Sequence, residues 1–229
     1  MKFIEQPIPL ENKNYDTFCP VVKNRHGSWW PNTIRGIISG PSGCGKTNLV
    51  VNFINEPYGF RFENLYSYST TFDQPKVDFI DRVFNPELRK HVQYFQFSNY
   101  EDVIPPQEAR PNSLFTFDDV AQEKQEIIKK YYSRGRHSTI DSLYLAQSYA
   151  WIPKPYIRDN ANLLILFKQD EKNLKHVYVE HVSGDMDFKE FLKFARICWR
   201  DEYGFLTIVK EFPLNKGRYR KVCTTYVKF

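Results

Sequence analysis

Ile34-Arg35-Gly36-Ile37-Ile38-Ser39-Gly40-Pro41-Ser42-Gly43-Cys44-Gly45-Lys46-Thr47 is the stretch that decides the fold. Residues 34–39 form a short apolar run, the pattern of a strand buried on both faces. Gly40, Pro41, Ser42, Gly43, Cys44, Gly45, Lys46 and Thr47 match G-x-x-x-x-G-K-[ST] at every fixed position. Apolar residues then recur at helical spacing over residues 46–55, and Pro57 ends them. Strand, glycine-rich turn and helix in that order are the context in which this motif cradles phosphates. Glycines let backbone N–H groups approach the anion, and the helix N-terminus adds a favourable dipole. In this role Lys46 reaches the β/γ-phosphates and the Thr47 hydroxyl ligates Mg²⁺.

Outward from this unit, strands and helices alternate. Residues 64–70, 92–97, 113–117, 141–146 and 163–167 read as strands. Residues 75–84, 122–132 and 186–198 read as helices, and residues 203–210 with 218–228 read as a hairpin. Such alternation predicts an α/β fold: a mostly parallel sheet with helices on both faces, and ligands beyond the carboxyl ends of the strands. A chain of 229 residues suits one such domain. Residues 1–33, broken by Pro7, Pro9, Pro20 and Pro31, read as an N-terminal extension, and residues 34–229 as the domain, with a C-terminal helix and hairpin from about 170. Trp29 and Trp30 stand just before the first strand, as core packing or as a wall beside a nucleotide base.

Two further strands end in polar residues. Leu114-Phe115-Thr116-Phe117 runs into Asp118 and Asp119. Asp118 is suited to hold Mg²⁺, through water, and Asp119 to polarise a water for attack on the γ-phosphate. The alternative for Asp119 is a cap on the following helix. Leu143-Tyr144-Leu145-Ala146 ends at Gln147, whose amide would point at the γ-phosphate and report its presence. Lys46, Asp118, Asp119 and Gln147 are thus the catalytic candidates. Phosphoryl transfer gains on the order of 10³–10⁵ in rate from an added positive charge at the transition state. Arg134, Arg136 and Arg158 are candidates for that charge, with Arg136 preferred. For each, a surface role or a DNA phosphate contact is the competing explanation.

Composition excludes several classes. The longest aliphatic-aromatic run, residues 163–167, is too short to cross a bilayer. The N-terminal residues lack the apolar core of a signal peptide. Cys19, Cys44, Cys198 and Cys223 show no C-x-x-C spacing, so neither a zinc site nor a redox motif is indicated, and a reducing compartment fits best. The net charge of +5 permits a nucleic-acid partner without requiring one. Residues 215–229 carry Lys216, Arg218, Arg220, Lys221 and Lys228 and no acid, which reads as a solvated surface or a DNA contact.

The set GPSGCGKT, LFTFDD, YSRGRH, LAQSY and IPKPYIRDNANLLILFK, between residues 34 and 168, resembles the poxvirus-type viral DNA-packaging ATPases of the FtsK–HerA superfamily. The resemblance implies an ASCE/RecA-like P-loop NTPase fold in which the phosphate-loop strand neighbours the glutamine strand. It implies ATP and Mg²⁺ as cofactors, and a homo-oligomeric ring, pentameric or hexameric, that drives double-stranded DNA into a capsid. Capsid protein would be a further partner, with no membrane. The expected location is host cytoplasm or nucleus, with virion association during assembly. Competing classes are a monomeric small-molecule or nucleotide kinase, a viral helicase, and a nucleotide-gated assembly factor. The doubled acid counts against the kinase, because a transferase gains little from a residue that activates water.

Overall fold

The computed structural model describes residues 25–70, 84 and 86–228. The helix read over residues 75–84 lies outside them except for Phe84. Nine strands form one sheet: β1 (Arg35–Ser39), β2 (Asn64–Ser69), β3 (Gln93–Phe97), β4 (Ser113–Asp118), β5 (Ile140–Ala146), β6 (Leu163–Phe167), β7 (Phe205–Val209), β8 (Tyr219–Lys221) and β9 (Thr225–Tyr226). Their order is β3-β2-β4-β5-β1-β6-β7-β8-β9. Every pairing among β1–β6 is parallel, and β7, β8 and β9 continue the sheet antiparallel. The strands read as a terminal hairpin therefore extend the main sheet, because β7 pairs with β6 along its whole length.

Alternate residues of each strand feed two cores, as the two-residue strand period requires. On one face Ile37, Phe115, Phe117, Tyr144, Leu164 and Leu166 meet α3 (Glu126–Arg134), α4 (Glu171–Val177) and α5 (Phe188–Cys198). On the other, Ile38, Leu114, Leu143, Leu145 and Ile165 meet α1 (Lys46–Asn55). A short helix α2 (Pro86–His91) precedes β3. Helices thus cover both faces of a mostly parallel sheet. This is the P-loop NTPase architecture of the ASCE type, with β5 inserted between the phosphate-loop strand and the acid-bearing strand. No helix among the described residues is long and apolar enough to cross a membrane.

The edges of several elements differ from the sequence reading. Helix α3 begins at Glu126 rather than residue 122. The Gln125 amide donates to Val120 O at 2.6 Å and Glu123 O at 2.9 Å, closing residues 120–125 into a turn. Residues 25–33, set apart above as extension, are built into the domain. His26 and Trp30 are buried. Trp30 packs edge-on to Phe53 and Phe60, with ring centroids 4.9 and 5.0 Å away, at the end of α1 remote from the phosphate loop. It is core, not a wall beside a base.

Candidate nucleotide site

The phosphate loop is fixed at its root. Gly40 N donates to Ala146 O at 3.1 Å, joining the ends of β1 and β5. A Cβ at Gly40 would lie 2.6 Å from Cys44 Sγ and from Phe167 Cβ, so only glycine fits there. Gly45, the residue before α1, has φ +99°, a conformation that costs other residues strain. No side chain caps α1. Its first N–H groups lack intrahelical acceptors and form a ready anion cradle.

Three strand ends converge on this cradle. A cavity of about 310 Å³ is lined by Lys46, Thr47, Asn48, Asp118, Asp119 and Gln147, together with loop residues. Lys46 Nζ donates to Gly40 O at 2.7 Å and to Pro41 O at 3.0 Å, so the ammonium folds back over the loop. Asp119 N donates to Leu145 O at 3.2 Å, which pins the acid to β5 in a left-handed conformation (φ +54°). Gln147 Nε2 donates to Asp119 Oδ1 and Oδ2 at 3.2 and 3.0 Å. Asp119 caps no helix: α3 starts seven residues later, behind Gln125.

Asp118 occupies a different environment. Burial pushes its carboxyl up to about 6; the Lys46 charge pulls it back, and Asp119 adds to the rise. No described residue donates a hydrogen bond to its carboxylate. A partly desolvated acid that lines one cavity with Thr47 suits a divalent cation, which would supply the missing positive charge. The donor set therefore fits Mg²⁺.

The arginines separate. Arg134 and Arg136 are exposed at the end of α3 and the turn before β5. They stand at the amino ends of the strands, across the sheet from the phosphate loop of their own chain. Arg158 is buried and ion-paired with Glu180 at 3.0 Å, its guanidinium 5.1 Å from the centroid of the Tyr149 ring. So held, it faces Glu180 and Tyr149 rather than solvent. The basic end is also largely engaged. Arg218 pairs with Asp185 at 2.9 Å and Lys221 with Asp201 at 2.7 Å. Buried Arg220 donates to Gly217 O and Trp29 O. Those contacts leave Lys216 and Lys228 as the exposed cations of residues 215–228.

Two contributors escaped sequence reasoning. Asn48 lines the cavity one residue past the motif. Asn173 Oδ1 accepts from Ser148 Oγ and Ala150 N, both at 2.9 Å, strapping the segment after Gln147 to α4. Only the N-cap pattern Asp170-x-x-Asn173 could have signalled α4, and Asp170 does cap it through Asn173 N.

The sequence matches no protein-family model and no curated protein. Solved structures do match. B204, the DNA-packaging ATPase from Sulfolobus Turreted Icosahedral Virus, aligns with a TM-score of 0.53 at 14% identity, over 76% of this chain and 91% of that one. The genome packaging NTPase B204 from Sulfolobus turreted icosahedral virus 2 aligns in its complex with ATP-gammaS at 0.54 and 11% identity, over 78% and 92%. Its complex with AMPPCP gives 0.52 and 10%, over 77% and 92%. At such identities the likeness is one of fold, the P-loop NTPase fold that this chain shares with those structures.

Proposed function

We propose that this chain is an ATP-hydrolysing motor that translocates double-stranded DNA and packages a viral genome into a capsid. One observation carries the reading. Lys46 and Thr47, the acid pair and Gln147 meet in one cavity at the carboxyl rim of one sheet, with Gln147 bridged to Asp119. The shared fold with viral genome-packaging NTPases, two of whose structures hold ATP analogues, supports the rest.

Lys46 and the N–H groups of α1 bind and orient the triphosphate of ATP. Thr47 and Asp118, the latter through water, would hold Mg²⁺, which would supply positive charge to offset that of the triphosphate. Asp119 accepts the proton of the attacking water. Gln147, hydrogen-bonded to that acid and lining the same cavity, couples γ-phosphate occupancy to the segment strapped by Asn173 in this reading. Among the described residues, no arginine lines this site. In a homo-oligomeric ring, pentameric or hexameric, an exposed arginine of the adjacent copy supplies the transition-state charge, and Arg136 is our choice. A second hollow of about 520 Å³, which shares Ser42 and Gln147 with the first and is flanked by Trp151, Lys168 and Lys172, leaves that flank of the γ-phosphate open to a neighbour. A packaging motor must accept any sequence, so it grips DNA through the phosphate backbone. Capsid protein is the further partner, in host cytoplasm or nucleus and on the assembling virion.

The test is ATPase rate with and without duplex DNA, together with the mass of the species in solution. A DNA-stimulated ring is expected. A monomer indifferent to DNA would defeat the motor and leave a small-molecule kinase or an assembly factor to be considered.

A further inference from the structure

The geometry points to Tyr203 as the platform on which the nucleotide base stacks. The inference rests on the nucleotide-binding reading above and names a contact which that reading leaves open. The acids and Gln147 stand on β4 and β5, to one side of β1. The γ-phosphate must face them, so the rest of the nucleotide leads away across the loop, toward β6 and β7. Tyr203 stands there, just before the start of β7 at the same rim. Phe205 pairs with Phe167, the last residue of β6.

The Tyr203 ring abuts the phosphate loop. A Cβ on Gly45 would lie 3.3 Å from Tyr203 Cδ1 and 3.9 Å from Cγ, with Phe167 Cε1 also at 3.9 Å. Yet 62% of Tyr203 is exposed. A large ring resting on the residue before Lys46, with most of its surface open, is what a planar ligand needs. Its backbone is held for the purpose: Tyr203 has φ +58°, a left-handed value uncommon for a bulky residue. Around it, Gly204 N donates to Asp201 O at 2.9 Å and Trp199 Nε1 to Leu166 O at 2.8 Å, anchoring the turn over the end of β6. Strain at a bulky residue beside a ligand cradle is a functional signal when such contacts impose it.

Stacking is tolerant of base identity, because every base has a π-face. The expected signature is therefore a loss that depends on having a base and not on which base. Equilibrium binding of ATP, GTP and inorganic tripolyphosphate, each with Mg²⁺, should be compared for the native protein, Tyr203→Asn and Tyr203→Phe. Asparagine adopts the left-handed conformation readily, so it removes the ring and keeps the turn. We expect Tyr203→Asn to weaken ATP and GTP alike by about 5- to 100-fold, to leave tripolyphosphate within about twofold, and Tyr203→Phe to recover most of the loss. Undiminished ATP affinity in Tyr203→Asn, or an equal loss of ATP and tripolyphosphate, overturns the assignment. A native protein that binds ATP but is indifferent to DNA would sink the motor and leave the platform standing. One that binds no nucleotide sinks both.

Discussion

Gln147 Nε2 and the carboxylate of Asp119 hold each other at 3.0–3.2 Å across the ends of β5 and β4. The amide is thereby committed to the acid when no phosphate competes for it. Replacing Asp119 with Asn keeps a partner for Gln147 but removes the group that can take a proton from water. We expect hydrolysis to fall on the order of 10²–10³-fold, with ATP affinity within about threefold. Single-turnover hydrolysis alongside equilibrium binding reads both quantities. Undiminished turnover removes Asp119 from the mechanism. Gln147→Ala should narrow the preference for an ATP analogue over ADP, since the residue poised to report the γ-phosphate is gone.

Asp118 gives a pH dependence of definite sign. Its carboxyl is raised by burial from 3.8 to about 6. Between those values the folded protein carries a proton that the unfolded chain has already lost, so stability falls as pH rises through this window. Above it, the ionised acid costs on the order of 2–3 kcal/mol. Asp118→Asn should therefore stabilise the nucleotide-free protein at pH 7.5 by about 1–3 kcal/mol and flatten its stability between pH 4 and 6. Urea denaturation across that range measures it. Binding of Mg²⁺-ATP should weaken as pH falls below about 6, and a pH-independent affinity would show that Asp118 does not hold the metal.

The parts of the site legible in the sequence are those whose signal is local. The phosphate loop, the acids at the end of β4 and the glutamine at the end of β5 each announce themselves within a few residues. What sequence left hidden depends on distant partners. The positive residues near the end looked free, yet Arg218 and Lys221 pair with Asp185 and Asp201, 33 and 20 positions earlier. Arg158 looked like any other candidate arginine until Glu180, 22 positions later on a separate helical segment, closed on it. Likewise β7 and β8 read as a hairpin, which they form, but nothing in their residues names β6 as the further neighbour.

Arg158 should prove structural. It pairs with Glu180 Oε1, while Tyr149 OH donates to Glu180 Oε2 at 2.8 Å. The tyrosine proton is thus spent, so the 2.8 Å contact with His181 Nε2 requires an N–H there. Burial holds the His181 imidazole down to about 3, with Lys210 and Arg158 adding to the effect, so the ring is neutral. Removing one member of a buried ion pair costs about 3–5 kcal/mol. We expect Glu180→Ala and Arg158→Ala each to lose about that much, and the double variant to lose much less than their sum. Denaturant titration of all four proteins completes the cycle. An Arg158→Ala protein of native stability with abolished turnover would return this arginine to the catalytic candidates.

Asp141, buried at the head of β5, ties the segment before β1 to the sheet. Its Oδ1 accepts from Ile34 N at 2.7 Å. Its Oδ2 lies 3.2 Å from Arg25 Nη1 and 2.9 Å from His26 Nε2. His26 Nδ1 accepts from Arg61 N, so the proton on Nε2 faces the carboxylate. Asp141→Ala would remove the acceptor of Arg25 Nη1, of an imidazole N–H and of a backbone N–H, leaving the guanidinium its bonds to Asn112 Oδ1 alone, and should cost about 3–5 kcal/mol. Asp141→Asn keeps the shape and one acceptor oxygen and should cost less. The same logic applies to a chain trimmed to begin at Ile34, the boundary read from the sequence. It loses Arg25 and His26, both partners of Asp141 Oδ2, and uncovers the Phe53–Phe60 surface on which Trp30 packs. We expect that shortened protein to unfold at markedly lower urea than the full chain, and equal midpoints would show that residues 25–33 add nothing to the domain.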